Sequence, residues 1–129
     1  AAAISGLLIR SQRPDFVPVP ASLGQLLLLP VQQLAYAALS EEPFFRGFLW
    51  GALEQAGFKP LACFLVQGLL FWVAHFYYLT ALPASFWLIV PLGSVLLGLL
   101  VWRSKSIATS MIAHGMMNGA GQAIAFYRL

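Results

Sequence analysis

The stretch Ser22–Gln55, SLGQLLLLPVQQLAYAALSEEPFFRGFLWGALEQ, decides the fold class. It reads as one long helical segment, interrupted by Pro30 and Pro43, that sets Glu41 and Glu42 side by side and places Arg46 one turn later. A helix of that length extends about 50 Å at about 1.5 Å per residue. The hydrocarbon core of a bilayer is only about 30 Å thick. One straight span cannot accommodate it, so a helix kinked at its prolines is expected. Pro43 removes a backbone donor beside the two glutamates, which suits a place where regular helix gives way to a cavity.

The flanking segments extend the same pattern. Residues 1–9 form an apolar stretch already under way at Ala1, which reads as the tail of a partial span in a fragment or a chain with a processed start. Arg10–Pro20 holds Arg10, Arg13, Asp15 and three prolines and reads as a loop. Gly57, Lys59 and Pro60 make the next break. Further spans are expected at Leu61–Leu79, Ala84–Trp102 and Ile107–Tyr127, separated by Thr80–Pro83 and a basic turn at Arg103–Lys105. The expected fold is therefore all-α: one domain over residues 1–129, a polytopic transmembrane bundle of about four full spans and a partial N-terminal one. Phe58, Tyr77, Tyr78, Phe86, Trp87, Trp102 and Tyr127 lie near span ends, as an interfacial belt requires. Gly93, Gly98, Gly115, Gly119 and Gly121 are read as allowing close helix contact, and Met111, Met116 and Met117 as packing.

Composition supports a membrane class. The 129 residues are 60% hydrophobic and 9% charged, and the mean hydropathy is +0.83. A soluble domain carries about 25% charged residues, so lipid must solvate much of this surface. The net charge of +3 is ordinary loop basicity, and no nucleic-acid-binding patch is present. The expected partners are lipid and a peptide or protein at the membrane. Arg10, Arg13 and Arg128 fall on one side and Lys59, Arg103 and Lys105 on the other, so basic residues assign no orientation. The single cysteine, Cys63, excludes an internal disulfide and a cysteine-based zinc cluster.

An ionisable side chain inside a span costs at least about 2.5–3.5 kcal/mol on insertion scales, and so marks function. Glu41, Glu42, His75 and His114 occupy such positions, together with Asn118. Glu42 and Arg46 are spaced i, i+4 and can neutralise each other within one turn. His114 and Asn118 share that spacing and project to one side, as do Phe71 and His75. Glu41 points about 100° away from Glu42, which leaves it free to face other helices. Measured from the Lys59 face, Glu41 lies about 21 Å deep, His75 about 22 Å, His114 about 12 Å and Asn118 about 18 Å. Three helices thus bring polar groups to one middle zone.

Such a set can activate water. A buried carboxylate beside a histidine serves as general base, and a second histidine with an amide can donate to an oxyanion. Glu41, His75 and His114 could equally hold Zn²⁺ with a water as fourth ligand, although the His-Glu-x-x-His motif is absent.

Glu-Glu-x-x-x-Arg at 41–46, Phe-x-x-x-His at 71–75 and His-x-x-x-Asn at 114–118 resemble, in order, the three motifs of the CAAX-protease and bacteriocin-processing (Abi) family of intramembrane proteases. The resemblance implies an endopeptidase acting on a membrane-embedded or membrane-adjacent peptide, with CAAX-type C-terminal processing as one form. It implies Glu41 as general base, His75 positioning water, His114 and Asn118 as the oxyanion site, and Glu42, Arg46 and Phe71 in support. The family is often labelled metalloprotease; the same residues fit a metal-independent glutamate mechanism, which is favoured, with no cofactor required. Its many bacterial members imply a bacterial cytoplasmic (inner) membrane location. Family members usually carry more spans before the first motif than the one seen here. Two other readings stay open: a non-catalytic immunity or scaffold protein, and a proton or cation transporter fragment, the latter lacking the matched broken half-helices expected of it.

Overall fold

The computed structural model describes residues 2–15 and 17–128, with Arg128 described in its backbone alone. Ala1 of the partial span and the Arg128 side chain lie outside the described residues. The chain forms α1 (Ala2–Ser11), a short strand β1 (Val19–Pro20), the 33-residue helix α2 (Leu23–Gln55), α3 (Pro60–Ala74), a single turn α4 (Tyr78–Ala81), α5 (Ser85–Ser104), α6 (Ile107–Phe126) and β2 (Tyr127–Arg128).

Helix α2 starts at a capping box. The Gln25 N–H donates to Ser22 Oγ, and the Ser22 N–H donates to Gln25 Oε1. The prolines do not break it. Instead the helix widens into π turns at Leu34–Ala38 and Pro43–Leu49, with α geometry at Leu39–Glu42 between them. Pro43 has no N–H to donate, and a proline ring crowds the carbonyl four residues back. Wider turns accommodate both effects, and such turns recur at functional sites. The glutamates lie between the two.

Helix α3 ends earlier than the expected span Leu61–Leu79. The His75 N–H turns to the carbonyl of Trp72, while its imidazole Nδ1–H donates to the Phe71 carbonyl at 2.8 Å. The side chain thus takes the acceptor that the next α-helical N–H would have used, and the helix stops. At 15 residues α3 reaches about 22 Å, short of the bilayer core. Only α2 and α5, among the described residues, are long and apolar enough to cross a membrane. Helix α6 has 20 residues but carries Ser110, His114, Asn118 and Gln122. Arg10, expected in a loop, belongs to the last turn of α1.

Packing centres on α6, which lies against α1, α2 and α5. Its glycines permit that closeness. A Cβ on Gly119 would lie 2.5 Å from the Pro30 nitrogen, and one on Gly115 would lie 3.1 Å from Leu34 Cα. Glycine α1 Gly6 meets the Gly121 carbonyl in the same way, at 2.7 Å from a built Cβ. The chain ends are tied together outside this contact. Arg10 donates to the carbonyls of Ala125 and Tyr127, and Gln12 Oε1 accepts from the Ala84 N–H. The two strands pair in parallel over two residues each, the one departure from an all-α fold among the described residues.

Several polar side chains are enclosed while many large apolar ones lie on the outside. Glu42, Arg46, Gln67, Ser94, Ser110 and His114 are buried, whereas Leu27, Val31, Phe48, Leu61, Leu65, Leu92 and Ile112 are exposed. A bilayer solvates that exterior. Phe86, expected in an interfacial belt, is instead buried against Trp72 and Trp87.

Candidate active site

Glu42 and Arg46 stand one turn apart in α2 and are fully enclosed. Arg46 Nη1 donates to Glu42 Oε1 at 3.1 Å, Nη2 reaches the Ser94 carbonyl at 3.5 Å, and the guanidinium lies 4.1 Å from the Phe71 ring centroid. The pair is neutral as a unit, which lowers its cost in a low-dielectric interior. The same carboxylate oxygen accepts from His114 Nδ1–H at 2.8 Å. Glu42 therefore ties α2 to α6 as well as to its own helix.

Those bonds set the imidazoles. Both Nδ1 atoms face groups that can only accept: the Phe71 carbonyl for His75 and the Glu42 carboxylate for His114. Each ring therefore carries its proton on Nδ1 and presents Nε2 to the interior. Both Nε2 atoms converge on one oxygen. Glu41 Oε2 lies 3.7 Å from that of His75 and 3.9 Å from that of His114. It is buried and has no hydrogen-bond partner, although the Glu41 side chain as a whole keeps 27% exposure. Three acceptors around one point repel unless a proton, a water or a cation lies between them.

Glu41, Phe71, His75, His114 and Asn118 line one cavity of about 360 Å³. Phe71 stands 4.6 Å from the His75 ring and 6.2 Å from that of His114, centroid to centroid. Every expected site residue is thus at the cavity or, like Glu42 and Arg46, directly behind it. Sequence reading missed other members. Tyr77 and Tyr78, assigned to an interfacial belt, flank His75 at 5.8 Å each, Tyr77 stacked and Tyr78 tilted; their place beside a motif histidine was the available signal. Ser85, buried with an unpaired hydroxyl, and Gln122 also line the cavity, and neither stands in a motif.

A carboxylate and two imidazoles, each imidazole held through its other nitrogen, form a chemically suitable zinc set. Their spacing is slightly wide for one. Ligand atoms on a tetrahedral ion with bonds of about 2.0–2.2 Å stand about 3.3–3.6 Å apart, and no three such groups are arranged to hold a metal among the described residues.

A family model described as type II CAAX prenyl endopeptidase Rce1-like matches residues 23–120. The chain belongs to the Rce1-like family. That family is one of membrane-resident proteases, and the match contains all three motifs and helices α2, α3 and α5. No curated protein and no solved structure matches the chain. Helix α1 lies outside the Rce1-like match yet contributes Ser5 and Ile9 to the cavity wall.

Proposed function

We propose that this Rce1-like chain is an endopeptidase that hydrolyses a peptide bond at or within the bilayer by glutamate-activated water. The enclosure of Glu41 Oε2 between His75 Nε2 and His114 Nε2 carries the reading. With Glu42 and Arg46 neutralising each other, a second neutral pair results when Glu41 is ionised and His114 is protonated. His114 then holds one N–H on Glu42 and directs the other into the cavity. No net charge is left in the low-dielectric interior.

Water donates one hydrogen to the Glu41 carboxylate and the other to His75 Nε2, whose tautomer the Phe71 carbonyl maintains. Its oxygen attacks the peptide carbonyl carbon as Glu41 takes the proton. The oxyanion accepts from His114 Nε2–H and the Asn118 amide. Collapse breaks the C–N bond, and the Glu41 proton passes to the leaving amine, so peptide and water become one carboxylic acid and one amine. Glu42, Arg46 and Phe71 act through the two histidines.

We further propose a CAAX-type substrate, a peptide whose C-terminal segment is removed beside a prenylated cysteine, and residence in the bacterial cytoplasmic membrane with lipid as the surrounding partner. The family's description supports the substrate class. The test is cleavage of a prenylated CAAX reporter peptide by the protein in liposomes. Glu41→Gln should lower kcat by about 10²–10⁴, the range of a general base, with thermal unfolding unchanged. Normal turnover in Glu41→Gln, His75→Ala and His114→Ala would sink the assignment. In the metal-independent mechanism, activity survives strong chelation and elemental analysis finds no stoichiometric zinc. Loss on chelation with recovery on added Zn²⁺ would instead make Glu41, His75 and His114 the ligands.

A further inference from the structure

Gly93 does not serve helix contact. A Cβ built there meets nothing within 4 Å, whereas on the same helix a Cβ on Gly98 would lie 2.8 Å from Phe64 and Gln67 atoms. Glycine inside a helix weakens it, and no neighbour requires that weakness at position 93. What its missing side chain leaves is space. Gly93 lines the 360 Å³ cavity and also a smaller one of about 50 Å³ beside it. The two share Ser5, Ile89, Met117 and Asn118 as walls. Beyond them the smaller cavity is lined by apolar residues, Ala2, Ile4 and Leu92, the last two exposed on the outer surface. The chamber that holds Glu41, His75 and His114 therefore adjoins a more apolar one at Gly93, and Asn118 belongs to both.

Building on the peptidase reading, we infer that Gly93 is a specificity-determining position: the space above it receives an aliphatic group of the substrate, adjacent to the carbonyl that Asn118 meets. That group is either a residue side chain next to the scissile bond or a hydrocarbon chain carried by the peptide. The chemistry needed is the same. An apolar group reaching the smaller cavity leaves the space beside Glu41, His75 and His114 to water and the peptide bond, and its length is limited by whatever stands at position 93.

Two reporter series in liposomes separate the sources. One grades the residue beside the scissile bond through Ala, Val, Leu and Phe; the other grades the attached hydrocarbon chain at a fixed residue. Gly93→Leu should cut kcat/KM for the larger members of one series about tenfold or more relative to the smallest, the scale of methylene-level discrimination in an apolar pocket. The loss should lie in KM, with Gly93→Ala intermediate and no lower in Tm than the wild type. The series that responds identifies the source, and unchanged preference in both overturns the inference. A binding arm does not depend on turnover. In a Cys63→Ala background the Gly93→Cys thiol should react with short alkyl thiosulfonates and be protected by the reporter. Protection without cleavage by the wild-type protein would defeat the peptidase reading and leave the aliphatic subsite standing; a freely reactive thiol with reporter present would defeat the subsite.

Discussion

Glu42 has no exposed surface and one oxygen that takes both Arg46 and His114. Removing it strands a buried guanidinium in a dry interior. Glu42→Ala should lower stability by about 3–5 kcal/mol, the usual cost of breaking a buried pair from one side. The double change Glu42→Ala, Arg46→Leu should recover most of that loss in thermal unfolding but no peptidase activity, because His114 stays without its acceptor. Equal activity in the double variant and the wild type would remove Glu42 from the site. At this scale the sequence disclosed half of the arrangement. The i, i+4 spacing exposed the Glu42–Arg46 pair, since helical geometry alone brings those atoms together. The bond to His114 spans 72 residues, and no local periodicity encodes it.

Helices differ in how much of their course is local chemistry. The start of α2 was legible because Ser22 and Gln25 cap each other within four residues. Its π turns were not, because a proline announces a disturbance without saying whether the helix bends, breaks or widens. The end of α3 was hidden for another reason: Phe76, Tyr77, Tyr78 and Leu79 continue the apolar run, so only the His75 side chain marks the stop. Close packing gives paired predictions here. Gly119→Ala places a methyl on the Pro30 backbone and should cost about 1–3 kcal/mol by overpacking. Gly51→Ala meets nothing within 4 Å and should be neutral or gain up to about 1 kcal/mol from helix propensity. Detergent-phase unfolding of both variants checks the contrast, and equal behaviour would show that α6 does not rest on α2 through Gly119.

Across the whole molecule, many large apolar side chains face outward along the helices while Glu42, Arg46 and His114 are buried and Arg13, Asp15, Glu54, Lys59, Arg103 and Lys105 are exposed at helix ends and loops, a distribution that suits a bilayer. The protein should remain in the membrane pellet after an alkaline wash; release into the supernatant would contradict an integral placement. Arg10 joins α1 to the end of α6 through two carbonyls. Arg10→Ala should lower stability by about 1.5–3 kcal/mol, as expected for charge-assisted hydrogen bonds, and should loosen the wall that Ser5 and Ile9 give the cavity. The sequence by itself determined the solvent, the helical class and the identity of the ionisable residues, because hydropathy and spacing act within a few turns. Tertiary structure alone decided that Glu41 faces both histidines, which imidazole nitrogens point inward, and that Gly93 opens space where Gly98, Gly115 and Gly119 close it. Those depend on contacts between helices distant in sequence, and a glycine looks the same whether it admits a neighbouring helix or leaves room for a substrate.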